Sequence, residues 1–245
     1  MTDSIRINRF LADSGLGSRR YVEELVRKGR IELNGAVVTE LGTRIDPTKD
    51  VVFFDGKKLS DRQSGEDVWL FHKPLNCLCT RDDPKGRKTI FSILKHLPPP
   101  YQAVGRLDQN STGLLLITRR GELAQSLMHP KYEISKKYEV MVMGKWNKEK
   151  EAKLKEGVMM REGGEGKAIV LDTKPIHPTK TFLALELKRG KKREIRYSME
   201  ALGMKVTALH RIALGDLKLG PLKAGESRAL KTKEVQALES LIKRL

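Results

Sequence analysis

Asp108 is the residue whose surroundings in the sequence most clearly suggest chemistry. It lies in AVGRLDQNSTGLLLIT, residues 103–118, after an arginine and before an amide and hydroxyl cluster and a run of leucines. A carboxylate held beside a buried strand is ionised at neutral pH and can attack an electrophile without a separate base. The segment alone leaves an alternative open, in which Asp108 caps a turn or pairs with Arg106.

The basic segment LKRGKKREIR, residues 187–196, contains the cations that such a carboxylate needs. An ionised aspartate in a desolvated cleft stays charged and oriented only beside an opposite charge. The segment also has the pattern of a turn that precedes a helix, which suits contact with phosphate groups. A solvated turn is the alternative for its basic residues, which are Lys188, Arg189, Lys191, Lys192 and Arg193.

Tyr138, in SKKYEV, is the third candidate. A tyrosine in a strand is most often a core residue, but a flat ring with a polar tip also suits stacking on a flipped-out base. Lys136 lies two residues earlier, so on a strand it projects to the same face. We expect it to point towards an anionic substrate or the rim of a cleft.

The composition limits the kind of partner. The chain has 245 residues and a formal net charge of +17, which favours a polyanion, with nucleic acid ahead of an anionic membrane surface. There is no long apolar span, and MTDSIRINRF is charged from the start, so we expect a cytoplasmic protein that does not bind membranes. Cys77 and Cys79 lack a second ligand pair, and we predict no metal site.

The first 60 residues have the pattern of a small helical and stranded unit. RINRFLADSG has apolar residues at helical spacing and predicts a helix that ends on Gly15, and a second helix is expected from Ser18 to Gly29. The pairs Asn34–Gly35 and Asp55–Gly56 predict two tight hairpins.

The rest of the chain predicts a larger α+β domain. A polar stretch suggests a linker, so we expect domains at residues 1–60 and 68–245 with the linker at 61–67. VWLF, LLLIT, KYEVMV and TFLALEL indicate strands, while GELAQSLMH, NKEKEAKLKEG and REIRYSMEALG indicate helices. This order favours a central mixed, mostly antiparallel sheet flanked by helices.

Two long stretches resemble known families. IRINRFLADSGLGSRRYVEELVRKGRIELNG, residues 5–35, resembles the S4 (αL-like) RNA-binding domain. VGRLDQNSTGLLLITRRGELAQSLMHP, residues 104–130, resembles the catalytic signature of pseudouridine synthases, in particular the ribosomal RNA enzymes of the RsuA/RluB family. HKPLN, KKYEVMV, RGKKREIRYSMEALG and RIALGDLKLG continue the resemblance in the family's order, so that it covers almost the whole chain.

The resemblance implies an isomerase that converts one uridine of ribosomal RNA to pseudouridine. It assigns the nucleophile to Asp108, its paired cation to Arg196 and the ring that stacks on the base to Tyr138. Asp108 would either add to the uracil ring or attack the sugar at C1′, after which the base rotates and rejoins through carbon 5. Such a reaction needs neither a cofactor nor a metal. The expected substrate-binding residues are Arg106, Ile195, Lys136 and Arg193, with Ile195 forming a wall of the uracil pocket.

RNA contacts are expected from basic residues concentrated on and between the two N-terminal helices. A solvated helix face explains part of this concentration, but a phosphate-binding face explains why it occurs within thirty residues. The expected RNA-binding residues are Arg6, Arg9, Arg19, Arg20, Arg27, Lys28 and Arg30, together with Lys191 and Lys192.

The chain departs from the resembled pattern at two positions. Asn76 stands where the family usually has a glycine, and Tyr197 where it often has a second arginine, which puts the neighbouring RNA contact in doubt. RDDPKGRKTIF and GELAQSLMHP favour a 23S over a 16S target, in a structured stem-loop or an assembly intermediate, and we expect a monomer. The alternative is a non-catalytic RNA-binding or ribosome-assembly factor with the same fold.

Overall fold

The structure is a computed structural model that describes residues 4–14, 16, 19–59, 67–98 and 100–243. By its internal contacts the chain divides into two units, which are described separately. The first unit contains residues 1–67 with His96–Gln102 and Thr118–Gly121, and the second contains Val68–Lys95, Ala103–Ile117 and Glu122–Leu245. Most of the expected linker, together with Gly15 and Ser18, lies outside the described residues, so the domain limits remain a prediction.

In its described residues, the first unit has two helices and short strands, as predicted. Its elements are β1 (Ile5–Arg6), α1 (Ile7–Asp13), α2 (Arg19–Arg27), β2 (Ile31–Leu33), β3 (Ala36–Val37), β4 (Arg44–Ile45), β5 (Val52–Phe54) and β6 (Lys57–Leu59). Four of the strands form a sheet in the order β3-β2-β5-β6. Apolar residues of both helices, among them Ile7, Leu11 and Val26, pack with Ile31 of β2 and are fully buried.

The two predicted hairpins are confirmed by their backbone geometry. Asn34 and Gly35 have φ angles of 52° and 87°, and Asp55 and Gly56 have φ angles of 47° and 72°. Positive φ at both central residues is the geometry that joins antiparallel strands through a two-residue turn, and Asn-Gly and Asp-Gly tolerate it best.

The second unit is built around a nine-stranded sheet. Its elements are β7 (Val68–Lys73), α3 (Ile90–Ile93), β8 (Gln102–Val104), β9 (Thr112–Thr118), α4 (Gly121–Met128), a 3₁₀ turn (Pro130–Tyr132), β10 (Lys136–Met143), α5 (Lys148–Glu156), β11 (Val158–Met159), β12 (Glu165–Gly166), β13 (Ile169–His177), β14 (Lys180–Leu187), α6 (Glu194–Ala201), β15 (Lys205–Leu214), β16 (Leu217–Lys218), β17 (Ser227–Ala229) and α7 (Thr232–Lys243). Every strand expected for this part of the chain lies within one of these ranges, and each expected helix is one to three residues longer than the observed one.

The sheet is mixed and mostly antiparallel, as expected. Its main order is β13-β14-β10-β15-β9-β7-β17. Strand β10 pairs antiparallel with β14 and with β15, whereas β9 runs parallel to β15. One apolar cluster packs α6 against β10 and β14, and another packs α4 and α7 against β7 and β9.

The leucine run of β9 is the buried centre of this sheet. Leu114, Leu115 and Ile117 have no exposed surface, so the strand that follows Asp108 is fixed by packing on both sides. Gly113 is needed here because it has φ +108°, and a Cβ on it would lie 2.3 Å from the carbonyl oxygen of Arg211 on β15. Among the described residues, no helix is long and apolar enough to cross a membrane.

Candidate active site

Asp108 lies on a turn between β8 and β9 that is held from several directions. The backbone N–H of Ser111 donates to the carbonyl oxygen of Asp108 at 3.0 Å, which closes the turn. On the preceding residue, the N–H of Leu107 donates to Sγ of Cys79 at 3.3 Å, and that thiol donates back to the Leu107 carbonyl at 3.2 Å. The backbone that carries the carboxylate is therefore restrained on both sides.

Lys73, at the end of β7, supports the same turn from within the protein. Its side chain has no exposed surface, and Nζ donates to the carbonyl oxygens of Ser111 at 2.8 Å and Pro74 at 2.9 Å. Burial lowers the pKa of Lys73, while the nearby thiols and Asp108 oppose that shift. Asn76 takes the left-handed conformation, with φ 54°, and its N–H donates to the carbonyl of Gln109 at 2.9 Å.

Two arginines from the start of α6 face the Asp108 carboxylate. Nε of Arg196 and Nη1 of Arg193 each lie 3.5 Å from Oδ2 of Asp108. Only 12% of the Arg196 side chain is exposed, against 31% for Asp108, so the arginine is the more shielded partner of the pair. Burial lowers the pKa of Arg196, and the attraction of Asp108 opposes the shift. The carboxylate thus faces two cations and still has 31% of its side chain exposed.

Further contacts fix the guanidinium of Arg196. Its Nη2 donates to the carbonyl oxygen of Asn110 at 2.6 Å and to Oγ of Ser111 at 3.2 Å. Arg196 therefore contacts the backbone of the Asp108 turn as well as the Asp108 carboxylate. Asn110 and Ser111 lie in the polar cluster that the sequence showed, but their role as acceptors was not foreseen there.

Tyr138 and Ile195 lie in one apolar cluster with Leu107, the neighbour of Asp108. Tyr138 is 9% exposed and Ile195 is 6% exposed, so each presents only a small part of its surface to solvent. Tyr138 belongs to β10, where it is opposite Leu185 of β14 and Arg211 of β15. The strand thus brings the ring into the layer that contains Leu107 and Ile195.

Lys136 and Arg106 have different surroundings. Nζ of Lys136 donates to the carbonyl of Ile134 at 2.8 Å, and a Cβ on Gly190 would lie 3.6 Å from Cε of Lys136. Burial lowers the pKa of Lys136, Arg211 adds to this shift and Glu194 opposes it. Arg106 is exposed and makes no ion pair within the part of the chain that the structure describes. Asp108 thus faces the two arginines of the α6 region.

The two lysines before Arg193 contact a hairpin rather than open solvent. Nζ of Lys191 donates to the carbonyl of Glu165 at 2.7 Å, and Nζ of Lys192 donates to Oε2 of Glu162 at 3.1 Å. Glu194, which is 5% exposed, accepts from the N–H of Lys191 at 2.9 Å. The sequence did not single out this buried acid, because a Glu at a helix start is common on protein surfaces.

In the first unit, Arg6 and Arg9 line a cavity of about 290 Å³ that also includes Arg44. Arg44 was missed because it lies outside the early basic cluster, and the pairing of β1 with β4 places it opposite Arg6. The remaining cavity residues are Ser4, Ile5 and Asn8.

The other expected RNA contacts of the first unit differ in their surroundings. Nε and Nη2 of Arg30 both donate to the carboxylate of Asp55, and the guanidinium lies 4.8 Å from the Phe54 ring centroid. Lys28 pairs with Glu24 at 2.7 Å. Arg27 is exposed, whereas the side chains of Arg19 and Arg20 lie outside what the structure describes.

Comparison with known proteins gives matches over nearly all of the chain. The family described as RNA pseudouridylate synthase matches residues 67–201, and the S4 domain family matches residues 5–52. A protein of Bacillus subtilis (strain 168) named ribosomal large subunit pseudouridine synthase B is 36% identical over 240 residues, covering 96% of each chain. A protein of Yersinia pestis with the same name is 37% identical and covers 86% of this chain and 68% of its own length.

A solved structure agrees with these sequence matches. The crystal structure of a pseudouridylate synthase superimposes with a TM-score of 0.64 and 26% identity, covering 96% of this chain and all of that one. The α+β architecture predicted from the sequence is therefore confirmed, and so is the N-terminal S4 domain.

Proposed function

Because the chain belongs to the RNA pseudouridylate synthase family, we propose that it converts one uridine of the large-subunit ribosomal RNA to pseudouridine, with Asp108 as nucleophile. The observation that carries the mechanism is the placement of Asp108 Oδ2 at 3.5 Å from both Arg193 and Arg196. Two cations hold this carboxylate in place, and with 31% of its side chain exposed it can reach a substrate.

The reaction exchanges one bond to the base for another. Asp108 attacks either the uracil ring or C1′ of the sugar, and the bond between N1 and C1′ breaks. The base rotates and forms a new bond from carbon 5 to C1′, the C5 proton leaves to solvent and N1 gains a proton. Asp108 is then released, so the carboxylate is regenerated and no electrons are gained or lost overall.

Arg196 orients the nucleophile in this mechanism. Its hydrogen bonds to Asn110 and Ser111 fix the guanidinium, so that Asp108 finds a cation in place before the substrate arrives. Preorganised charge of this kind contributes more in a shielded site than in water. Arg193 is the more exposed of the two arginines. It binds the substrate and also orients the Asp108 carboxylate.

The uridine enters beside an apolar layer. Tyr138 stacks on the flipped base, Ile195 forms a wall of the pocket, and Leu107 belongs to the same cluster. Lys136 and Arg106 contact the anionic backbone around the flipped nucleotide. Basic residues of the S4 domain, with Arg6 and Arg9 foremost, anchor the surrounding RNA through phosphates.

The target is proposed from relatives named as large-subunit synthases. Mapping pseudouridines in both ribosomal RNAs, from cells with and without the gene, tests it directly. The expected result is the loss of one or a few sites in the 23S RNA alone. Loss of a 16S site instead would show that the target lies in the small-subunit RNA.

The nucleophile is tested by Asp108→Asn. We expect this amide, which keeps the shape and loses the charge, to lower kcat by about 1,000-fold or more. The matched control is Asp172→Asn, because Asp172 pairs with Lys174 on the edge strand β13. An Asp108→Asn enzyme that modified RNA at the normal rate would show that another group performs the attack.

A further inference from the structure

The hairpin formed by β11 and β12 is attached to the segment that carries the active-site arginines. At its tip, Glu162 accepts a hydrogen bond from Lys192 at 3.1 Å, and on β12 the carbonyl of Glu165 accepts one from Lys191 at 2.7 Å. Arg161 forms an ion pair with Glu200 of α6 at 3.2 Å. The hairpin therefore contacts both the approach to α6 and the helix itself.

Glycines allow the hairpin to pack closely against α6. Gly163 and Gly164 have φ angles of 88° and 76°, which allow the tight reversal in REGGEG. A Cβ on Gly166 would lie 2.1 Å from Oγ of Ser198, a residue of α6 that is 2% exposed. Only glycine allows this approach, so the hairpin is fixed against the helix at a defined distance.

Tyr197 is the point at which the hairpin and the arginines meet. It is 4% exposed, and its hydroxyl donates to Oε1 of Glu162 at 2.6 Å. The guanidinium of Arg193 lies 5.4 Å from the centroid of the Tyr197 ring, within range of a cation–π contact. The hydrogen bond from Tyr197, and next the one from Lys192, lower the pKa of Glu162 and keep it charged.

Arg193 needs such support. It precedes α6 with φ 52°, a left-handed conformation that is unusual for a residue with a side chain. Its side chain spans from the Tyr197 ring to Asp108, where Nη1 lies 3.5 Å from Oδ2. A side chain that is 36% exposed would otherwise sample several rotamers in water.

We propose that Glu162 and Tyr197 are positioning residues that hold Arg193 beside Asp108 and so set the rate of the chemical step. This inference rests on the proposed role of Asp108 as nucleophile. Glu162 orients the Tyr197 ring, the ring supports the guanidinium, and the guanidinium orients the carboxylate. Tyr197 thus occupies the position where the resembled family often has an arginine. It acts through Arg193, which lies four residues earlier in the chain.

The test is a double-mutant cycle on the full-length enzyme. The probe is a 23S RNA transcript labelled with tritium at carbon 5 of uridine, because this hydrogen is released as the new bond forms. We expect Glu162→Ala to lower kcat about tenfold with KM nearly unchanged. In an Arg193→Ala background, the same change should lower kcat by less than about twofold.

Conservative variants separate positioning from a general loss of structure. Glu162→Gln retains an oxygen that accepts from the Tyr197 hydroxyl, and it should restore most of the activity. Glu149→Ala, which removes an exposed ion pair with Lys153 on α5, is the matched control and should behave as the unmodified enzyme. If thermal unfolding shows that Glu162→Ala is not folded, Tyr197→Phe replaces it in the cycle, since this change keeps the ring and removes the hydroxyl.

Three outcomes would overturn the inference. Equal losses in both backgrounds would show that Glu162 does not act through Arg193, a loss confined to KM would make the hairpin an RNA contact, and full activity would remove its role. Failure of the proposed function has a different signature, because it appears as an active Asp108→Asn enzyme. The cycle compares variants with one another and reports coupling between Glu162 and Arg193 whichever group performs the attack.

Discussion

Nζ of Lys73 donates a hydrogen bond to the carbonyl oxygen of Ser111 at 2.8 Å from a position with no exposure to solvent. A buried ammonium group is thus held by backbone carbonyls of the turn that carries Asp108. Since Lys73 has no exposed surface, its contribution is to the position of the Asp108 turn rather than to contact with RNA. The geometry of this site therefore depends on a residue within the core.

Lys73→Met tests this dependence. The change keeps the length of the side chain but leaves the carbonyls without their donor, while it also removes the cost of burying a charge. We expect a net loss of about 2 kcal/mol in the free energy of unfolding, measured in urea. Lys180→Met, at an exposed position of β14, should change it by less than about 0.5 kcal/mol. Equal stability of the two variants would contradict a supporting role.

Tyr138→Phe separates stacking from proton transfer. The phenyl ring keeps the flat surface for the base, so we expect KM to change little. The resemblance also implies that the hydroxyl assists removal of the C5 proton, so we expect kcat to fall about 100-fold. Tyr132→Phe is the control, because Tyr132 lies in the 3₁₀ turn and contacts His129. An unchanged kcat in tritium-release assays would limit Tyr138 to stacking.

Gly113→Ala should disrupt the parallel pairing of β9 with β15. The new methyl group would lie 2.3 Å from the Arg211 carbonyl oxygen, so the two backbones must move apart. We expect a loss of about 3 kcal/mol or more, read from chemical unfolding. Gly86→Ala, also at positive φ but in open space, should cost only about 1–2 kcal/mol. A smaller loss at Gly113 than at Gly86 would show that the strands can separate freely.

The lowered pKa of Asp83 predicts that the free energy of unfolding depends on pH at acidic pH. Its carboxylate accepts hydrogen bonds from the side chain and backbone N–H of Arg87 and from the N–H of Lys85, which lower its pKa from 3.8 to about 2. A lowered pKa in the folded state means that the contribution is fully present above pH 3.8 and is lost as the pH falls through 2.

NMR titration of Asp83 and unfolding of Asp83→Asn provide the measurement. The carboxyl group should titrate near pH 2. The difference in free energy of unfolding between the unmodified protein and Asp83→Asn should decrease as the pH is lowered from 4 towards 2. A normal midpoint near 3.8 would show that the loop does not hold the carboxylate in solution.

Arg6 and Arg30 should differ in their effect on RNA binding. Arg6 lines the cavity with Arg9 and Arg44, whereas Nε and Nη2 of Arg30 both donate to the carboxylate of Asp55. We expect Arg6→Ala to reduce the slope of log affinity against log salt by about 1. Arg30→Ala should leave that slope nearly unchanged. Titrations of a 23S RNA fragment at several salt concentrations decide this, and equal slopes for both variants would contradict it.

The predictable parts of the fold were those set by neighbouring residues. Asn34–Gly35 and Asp55–Gly56 gave the expected hairpins, because a two-residue turn needs positive φ and these residues tolerate it locally. The leucine run of β9 was identified from its composition, since a strand buried on both faces is apolar throughout. Its parallel pairing with β15 could not be predicted in the same way, because His210 and Thr112 are far apart in the chain.

The candidate site shows the same division. Asp108 and Arg196 were predicted as a pair from the motifs and the resemblance, and in the structure Nε of Arg196 lies 3.5 Å from Oδ2 of Asp108. The second cation was not foreseen as a partner of Asp108, because the run that contains Arg193 has several equivalent basic residues. Only the fold distinguishes Arg193 from Lys192, which turns to Glu162.

The sequence by itself determined the strongly basic charge, the local elements and the motifs that indicate a nucleophile, since each depends on residue type and short-range spacing. The tertiary structure decided which cations reach Asp108, which lysine is buried beneath its turn and which tyrosine supports Arg193. These choices depend on contacts between segments that are distant in the chain. They are set by the packing of the whole sheet and its helices, which no short stretch of sequence contains.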